Sequence, residues 1–310
     1  MKYASLLNKV IKIIQDSGNK NWIIIGDNSI GKSEVLRRFV TKSKVSYYID
    51  SVNRGFDIRK VILQDIESFS ITSRQIIDTR IKDEFYNLTD SFGGNDHIER
   101  LYPLYKDKLK NLFENYLEID FSIEREGYEE GYGEGPLICK IDNVEAELSS
   151  GYQALARIFS ELIFYSDIIK EKGIIVIDEI DEFLSPKNST NILNFLISEF
   201  PGNNFIVSTH SGDLIANTNY ASIIALEKEN FSILDSNDFT TLTEVNTLFH
   251  KLFNNQEREK DNSVDDKLQR LFDLKIIRKW TEEEENEFNN IYFNNLTSVQ
   301  KLIHKQIEEW

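Results

Sequence analysis

The segment Gly26-Asp27-Asn28-Ser29-Ile30-Gly31-Lys32-Ser33 decides how the rest of the chain is interpreted. It follows an apolar run at residues 22–25 and precedes a stretch with helical spacing, which is the strand, loop and helix context of a phosphate-binding P-loop. Glycines let backbone N–H groups approach the phosphates at the positive end of the following helix. Lys32 then supplies charge to the β- and γ-phosphates, and Ser33 supplies a hydroxyl to Mg²⁺. All eight residues are therefore expected to hold a nucleoside triphosphate.

A second element of such a site lies far downstream, where the apolar run 173–177 ends in Asp178-Glu179. This pattern predicts a buried parallel strand with two carboxylates at its carboxyl end. In parallel α/β sheets that edge carries the ligand, so both carboxylates should face the P-loop. We expect Asp178 to bind Mg²⁺ and Glu179 to orient or deprotonate the attacking water. An acidic pair after a strand is also a common helix N-cap.

Two further segments are candidates for parts of a nucleotide site. Leu148-Ser149-Ser150-Gly151-Tyr152-Gln153 precedes a run with apolar residues at helical spacing. A serine and backbone amides at such a helix start can form a second anion site, although a plain N-cap is the commoner role. The segment Phe205-Ile206-Val207-Ser208-Thr209-His210-Ser211 predicts a buried strand with His210 just past its end.

Taken in order, these four motifs resemble those of ABC-class P-loop ATPases, within the OLD, RecF and SMC-like branch, as a stand-alone member without a fused nuclease. The resemblance implies an α/β P-loop NTPase fold with an ABC-like parallel-sheet core. It also implies two copies that close face to face as a homodimer or higher oligomer. Ser149, Ser150, Gly151 and Gln153 of one copy would then cap the ATP on the P-loop of the other. His210 would touch the γ-phosphate beside the catalytic Glu179.

The chain departs from the family pattern in several places. Tyr152 stands where the signature usually has Glu or Gln, and Ser150 replaces its first glycine. Gln64 and Gln75 compete for the role of the Q-loop glutamine, and Trp22 is a candidate for stacking on adenine. Before the P-loop, an amphipathic helix takes the place of the usual hairpin, with one apolar side formed by Tyr3, Leu6, Leu7, Val10, Ile11 and Ile14.

Composition bears on partners and compartment. The 310 residues include 36 Lys and Arg against 52 Asp and Glu, a net charge of −16 that disfavours nonspecific binding to nucleic acid. A single cysteine, Cys139, excludes an intrachain disulfide and, without a signal segment, favours the cytoplasm. The longest apolar runs have strand length, so no membrane span is expected. Basic clusters remain at Arg54, Arg59 and Lys60, at Arg74, Arg80 and Lys82, and at Lys106, Lys108 and Lys110.

The spacing of these segments predicts two domains. Residues 1–240 form the ATPase domain, with a helical insertion at about 74–118 that is broken at Gly93-Gly94 and at Pro103. A hairpin of strands is expected at 117–123 and 137–141. Residues 241–310 form a helical region in which Thr281 and Glu284 make a capping box. A stripe there either packs onto its own domain or forms an oligomer or partner interface; it comprises Leu296, Val299, Leu302, Ile303 and Ile307. The aromatics Trp280, Tyr292, Phe293 and Trp310 favour the interface.

The expected function is hydrolysis of ATP with Mg²⁺. By the resemblance, nucleotide-dependent dimerisation would control a separate effector, a nuclease or toxin, in a bacterial defence or toxin-type system. A DNA repair or recombination ATPase of RecF type is the alternative, and a nucleotide-dependent scaffold with little turnover is a third.

Overall fold

The computed structural model describes the greater part of the chain. The described residues are 2–18, 20–43, 45–66, 69–82, 97–126, 135–236, 267, 268, 270, 271, 274, 275, 280–293, 304, 307 and 308. The chain divides into two compact units, Met1–Leu252 and Phe253–Trp310. The boundary predicted at residue 240 lies outside the described residues.

A six-stranded, mostly parallel sheet forms the centre of the first unit. The strands in the described part of the chain are β1 (Asn21–Gly26), β2 (Ser46–Ile49), β3 (Phe121–Arg125), β4 (Leu137–Ile141), β5 (Val144–Glu145), β6 (Ile174–Ile177), β7 (Asn204–Ser208), β8 (Ala221–Leu226) and β9 (Phe231–Asp235). The sheet has the order β2-β6-β7-β1-β8-β9, in which only the β8–β9 pair is antiparallel. Strands β3, β4 and β5 form a separate antiparallel sheet.

Helices connect and cover these strands. They are α1 (Lys2–Asp16), α2 (Lys32–Lys42), α3 (Ser73–Ile81), α4 (Tyr102–Leu117), α5 (Ser150–Ile163), α6 (Pro186–Ser189), α7 (Ile192–Glu199), α8 (Gly212–Asn217) and, in the second unit, α9 (Glu282–Asn289). Short 3₁₀ turns occupy Ile58–Lys60 and Ile98–Leu101, and a π-helical turn at Phe164–Ile168 extends α5. The predicted α/β fold is confirmed.

The apolar pattern explains why the core sits on the central strands. Ile23, Ile24 and Ile25 of β1 are fully buried, as expected for a parallel strand covered on both faces. The predicted amphipathic helix is confirmed as α1, which buries its stripe from Leu6 to Ile14 beside α2. None of the described helices combines the length and apolar character that crossing a bilayer requires.

The insertion differs in detail from its prediction. Pro103, expected to break a helix, lies in the first turn of α4, where its missing N–H costs nothing. Helix α4 continues to Leu117, so the strand expected at 117–123 begins only at Phe121. Glycines 93 and 94 and the hairpin tip at 127–134 lie outside the described residues.

The second unit has a small core of its own. Leu268, Leu271, Phe288 and Ile307 are buried together. Trp280, Ile291 and Phe293 pack against this cluster, whereas the side chain of Tyr292 is 80% exposed. The capping box of Thr281 and Glu284 at the start of α9 is confirmed. Leu296, Val299, Leu302, Ile303 and Trp310 lie outside the described residues.

Candidate active site

The P-loop joins the carboxyl end of β1 to the start of α2. Its backbone takes left-handed φ angles at Ser29 (62°) and at Gly31 (101°), which is the N-cap of α2. A side chain on Gly31 would also collide with Tyr3, because a Cβ there would lie 1.8 Å from the tyrosine hydroxyl. That hydroxyl donates a hydrogen bond of 2.8 Å to the carbonyl of Ile30. Helix α1 therefore contacts the P-loop through Tyr3.

Lys32, the first residue of α2, supplies the charged side chain on the P-loop side of the site. Its side chain is buried, and its Nζ donates to the carbonyls of Gly26 (3.0 Å) and Asp27 (3.2 Å). The same Nζ lies 2.7 Å from Nε2 of His210. Burial lowers the pKa of Lys32, while the carboxylates of Glu179 and Asp178 act in the opposite direction. For Lys32 to donate to it, Nε2 of His210 must be the unprotonated ring nitrogen.

The two carboxylates follow β6, as predicted, and they lie in a turn and not at a helix start. Asp178 is 2% exposed and accepts a hydrogen bond of 2.6 Å from the Ser208 hydroxyl. Ser208 in turn accepts from the backbone N–H of Glu179 at 2.7 Å. Glu179 has a left-handed φ of 50°, which for a residue with a side chain costs about 1–2 kcal/mol. The surrounding contacts must offset this cost.

His210 links the two sides of the site. Its Nε2 lies 3.8 Å from a carboxylate oxygen of Glu179. The same Nε2 also contacts Lys32, so His210 lies between the P-loop and the carboxylate turn. Burial, followed by the charge of Lys32, lowers the pKa of His210. Burial, followed by the charge of Asp178, raises the pKa of Glu179. The structure thus brings together three of the residues predicted from separate motifs, because they follow the consecutive strands β1, β7 and β6 of the sheet.

The donors in this region fit a magnesium nucleoside triphosphate. The hydroxyl of Ser33 and the carboxylate of Asp178 supply oxygen, which Mg²⁺ prefers. Lys32 and the amides at the start of α2 supply positive charge for phosphate oxygens. Within the described residues, no group of three or more His, Cys, Asp and Glu side chains could form a closed metal site. Mg²⁺ at phosphates usually takes only one or two protein ligands, with phosphate and water oxygens completing its shell.

The signature segment contacts the end of the carboxylate turn and makes its own hydrogen bonds at the start of α5. Ser149 caps α5, and its hydroxyl accepts from the N–H of Tyr152 at 3.3 Å. Gln153 donates to the carbonyl of Leu148 at 2.9 Å. No hydrogen bond or ion pair among the described residues joins Ser149, Ser150, Gly151 or Gln153 to loop 26–33. A Cβ on Gly151 would lie 3.1 Å from the carbonyl of Phe183, so only glycine fits there without a shift.

Three candidates from the sequence have other contacts in the structure. Trp22 is 3% exposed and donates to Ser17, so its ring is covered and cannot stack on a base in this conformation. Gln75 belongs to the capping box of α3, where its side chain accepts from Thr72. Gln64 is exposed in the loop before α3.

Sequence reasoning missed two residues that hold the carboxylate turn, Arg54 and Ser208. Arg54 belongs to the predicted basic cluster with Arg59 and Lys60, but its side chain is buried and donates to the carbonyl of Asp178 at 2.7 Å. Arg80, from the second basic cluster, is also buried, where it pairs with Glu161 at 2.7 Å. An arginine in the loop that follows a buried strand gives little signal of such a contact.

Comparisons with known proteins gave only distant structural similarity. No protein-family model matches the chain, and no curated protein matches it. A metal-chelate type ABC transporter in an inward-facing conformation is 16% identical, with a TM-score of 0.36, over 74% of this chain and 78% of that one. The SMC head domain from Thermotoga maritima is 15% identical, with a TM-score of 0.37, over 70% of this chain and 90% of that one. A bacterial Atm1-family ABC exporter with ATP bound is 15% identical, with a TM-score of 0.37, over 78% of this chain and 38% of that one.

Proposed function

We propose that this chain binds and hydrolyses ATP with Mg²⁺, and that ATP joins two copies of it. The observation that supports this best is the convergence of Lys32, His210 and Glu179 beside the P-loop at the carboxyl edge of a parallel sheet. These residues come from three separate segments, and each carries the chemistry that phosphoryl transfer to water requires.

Each side chain has a distinct task in this proposal. Lys32 exchanges its contacts with the loop carbonyls for contacts with phosphate oxygens. Glu179 accepts a proton from the attacking water, and its raised pKa makes it a stronger base than an ordinary glutamate. His210 holds the γ-phosphate or the water in line. Ser33 and Asp178 would hold Mg²⁺, which would supply positive charge to the phosphate oxygens.

Dimerisation is proposed because, in the described part of the chain, no hydrogen bond joins the signature segment to its own P-loop. Ser149 and Ser150 are exposed, and Gly151 is half-buried at the start of α5, so these groups are accessible to the ATP of a second copy. Joining two copies through ATP would let the nucleotide state control a separate effector. By its resemblance to stand-alone members of the OLD-like branch, we propose a nuclease or toxin as that effector, in a bacterial defence system.

The test combines turnover with molar mass. We expect the purified chain to release phosphate from Mg²⁺-ATP, and Glu179→Gln to bind ATP without releasing it. Light scattering after gel filtration should then show Glu179→Gln as a dimer or larger species with ATP and as a smaller one without. Adding Ser149→Arg should abolish that increase in mass. Normal turnover by Glu179→Gln would refute the assignment of the base, and a constant mass would refute the role of ATP in joining two copies.

The DNA-dependent alternative is less well supported. The net charge is −16, and burial of Arg54 and Arg80 removes an arginine from two of the three predicted basic clusters. We expect only weak duplex-DNA binding that disappears with moderate salt, because few phosphates can be neutralised. Fluorescence anisotropy over a salt series measures this. Tight binding that persists at physiological ionic strength would favour the repair function instead.

A further inference from the structure

The turn that carries Asp178 and Glu179 has an unfavourable backbone conformation. Glu179 is left-handed, with φ at 50°, although it bears a side chain. Such a conformation persists only where neighbouring groups hold it, and it is common at functional sites. The groups that hold this turn therefore determine where its carboxylates point.

Ser208 holds the turn from β7. Its hydroxyl accepts from the N–H of Glu179 at 2.7 Å and donates to Asp178 at 2.6 Å. Its carbonyl accepts from the N–H of Ile180 at 3.0 Å. This side of the turn is thus fixed by the neighbouring strand of the sheet.

Arg54 holds the turn from the loop after β2. Its Nη2 donates to the carbonyl of Asp178 at 2.7 Å and lies 3.5 Å from the carbonyl of Glu179. The side chain is 2% exposed, yet its Nε and Nη1 have no hydrogen-bond partner among the described residues. Buried donors without partners are costly, and they offset part of the stability that the hydrogen bond to the Asp178 carbonyl supplies. The arginine is poorly explained by stability alone.

The loop of Arg54 is itself held by α5. Nη1 of Arg157 lies 3.5 Å from the carbonyl of Gly55, and its Nε pairs with Glu161 at 2.6 Å. Glu161 also pairs with the buried Arg80 of α3 at 2.7 Å. These fully buried ion pairs restrict the side chain of Arg157, and through it the loop that presents Arg54.

We infer that Arg54 is a positioning residue, which fixes the Asp178–Glu179 turn so that Glu179 faces the nucleotide site. This rests on the proposed function, because it assigns the turn a part in ATP hydrolysis. Arg54 acts on the backbone of the turn and not on ATP. Its loss therefore affects the rate of turnover, while binding of ATP through Lys32 and the P-loop is retained.

The experiment compares Arg54→Met with Arg59→Met in the full chain. Arg59 lies in the same loop but is 85% exposed, so it is the matched control. We expect Arg54→Met to lower kcat at least tenfold, with the Kd for ATP within twofold of the parent and only a small fall in Tm, because the carbonyl of Asp178 loses its donor. Arg54→Lys, which restores one donor, should recover part of kcat. Arg59→Met should behave as the parent.

Hydrogen exchange of the nucleotide-free protein provides a readout that does not depend on ATPase activity. Amides of residues 179–183 should exchange faster in Arg54→Met than in the parent or in Arg59→Met, while those of β1 stay unchanged. If the parent hydrolyses no ATP but the turn still loosens, the proposed function fails and the positioning role stands. Unchanged exchange in the turn, an unchanged kcat, or losses of kcat, ATP binding and Tm together would overturn the inference.

Discussion

The candidate site has two sides that are built in different ways: the P-loop wall, which is residues 26–33, and the carboxylate wall, which is the turn with Asp178 and Glu179. The P-loop wall is local: eight consecutive residues form the loop, with left-handed angles at Ser29 and Gly31, and Lys32 bonds mainly to carbonyls of the same loop. The carboxylate wall is assembled from distant segments, since Asp178 and Glu179 depend on Arg54 and Ser208. The first wall should thus be disrupted by changes within its own motif, and the second by changes far from it in sequence.

The largest effect is expected from Lys32→Ala. Lys32 supplies charged hydrogen bonds to phosphate, and their loss should weaken ATP binding by about 100-fold or more. The fold should remain intact, because the ammonium is desolvated in the free protein and contributes no apolar packing to the core. Isothermal titration with ATP and a thermal melt measure the two quantities. An unchanged affinity would refute the P-loop assignment, and unfolding would show that Lys32 is structural.

For the carboxylate wall, Ser208→Ala should lower folding stability more than it lowers ATP affinity. The change removes the acceptor of the partly buried N–H of Glu179 and the donor to the buried carboxylate of Asp178, which costs about 1–3 kcal/mol. ATP affinity should change little, and turnover should fall because the turn is less well held. Denaturant unfolding together with a phosphate-release assay measures both effects.

Ser46→Ala is the matched control for this change. Ser46 is also a buried serine on a strand, but its hydroxyl has no hydrogen-bond partner among the described residues. Its removal should cost much less than that of Ser208. Equal losses of stability for the two variants would contradict the special role given to Ser208.

A smaller effect is expected from Gly31→Ala, which changes only the backbone preference of the P-loop. The left-handed φ of 101° disfavours alanine, and a strain of about 1–2 kcal/mol corresponds to roughly tenfold in ATP affinity. The new methyl group would also collide with the hydroxyl of Tyr3. Adding Tyr3→Ala should relieve the collision but not the strain. Full recovery of affinity in the double variant would show that the collision alone matters.

Much of the first wall could be predicted from the sequence, because residues 26–33 carry both its conformation and its chemistry. The positions of Asp178 and His210 at the same sheet edge also followed from apolar runs that end in polar residues. The roles of Arg54 and Ser208 did not, since they depend on strand order, which a single sequence does not specify. The spacing of Arg157 and Glu161, four residues apart on an otherwise apolar helix, was an available sign of a buried ion pair.

The smallest effect concerns pH. Burial and the charge of Lys32 keep the pKa of His210 below its usual 6.5, so the folded state binds its proton less readily than the unfolded state. Folding stability should therefore decrease as pH falls below about 6.5, until His210 is protonated in the folded state too. The side chain is 41% exposed, so the effect is modest. His210→Gln should flatten this part of the stability profile, and an identical slope in parent and variant would contradict the assignment.

The place of β1 in the sheet has a consequence for biosynthesis. Its hydrogen-bonded neighbours are β7 and β8, so Trp22 pairs with Ile206 on one side and with Ser222 on the other. A ribosome that adds ~5–20 residues per second needs roughly 10–40 s to proceed from residue 26 to residue 226. Until β7 is made at residues 204–208, the apolar strand that supports the P-loop lacks both neighbours, and it lacks the second until β8 is complete at residue 226. The nascent chain therefore exposes an aggregation-prone edge early, and competence to bind nucleotide arises only late in synthesis.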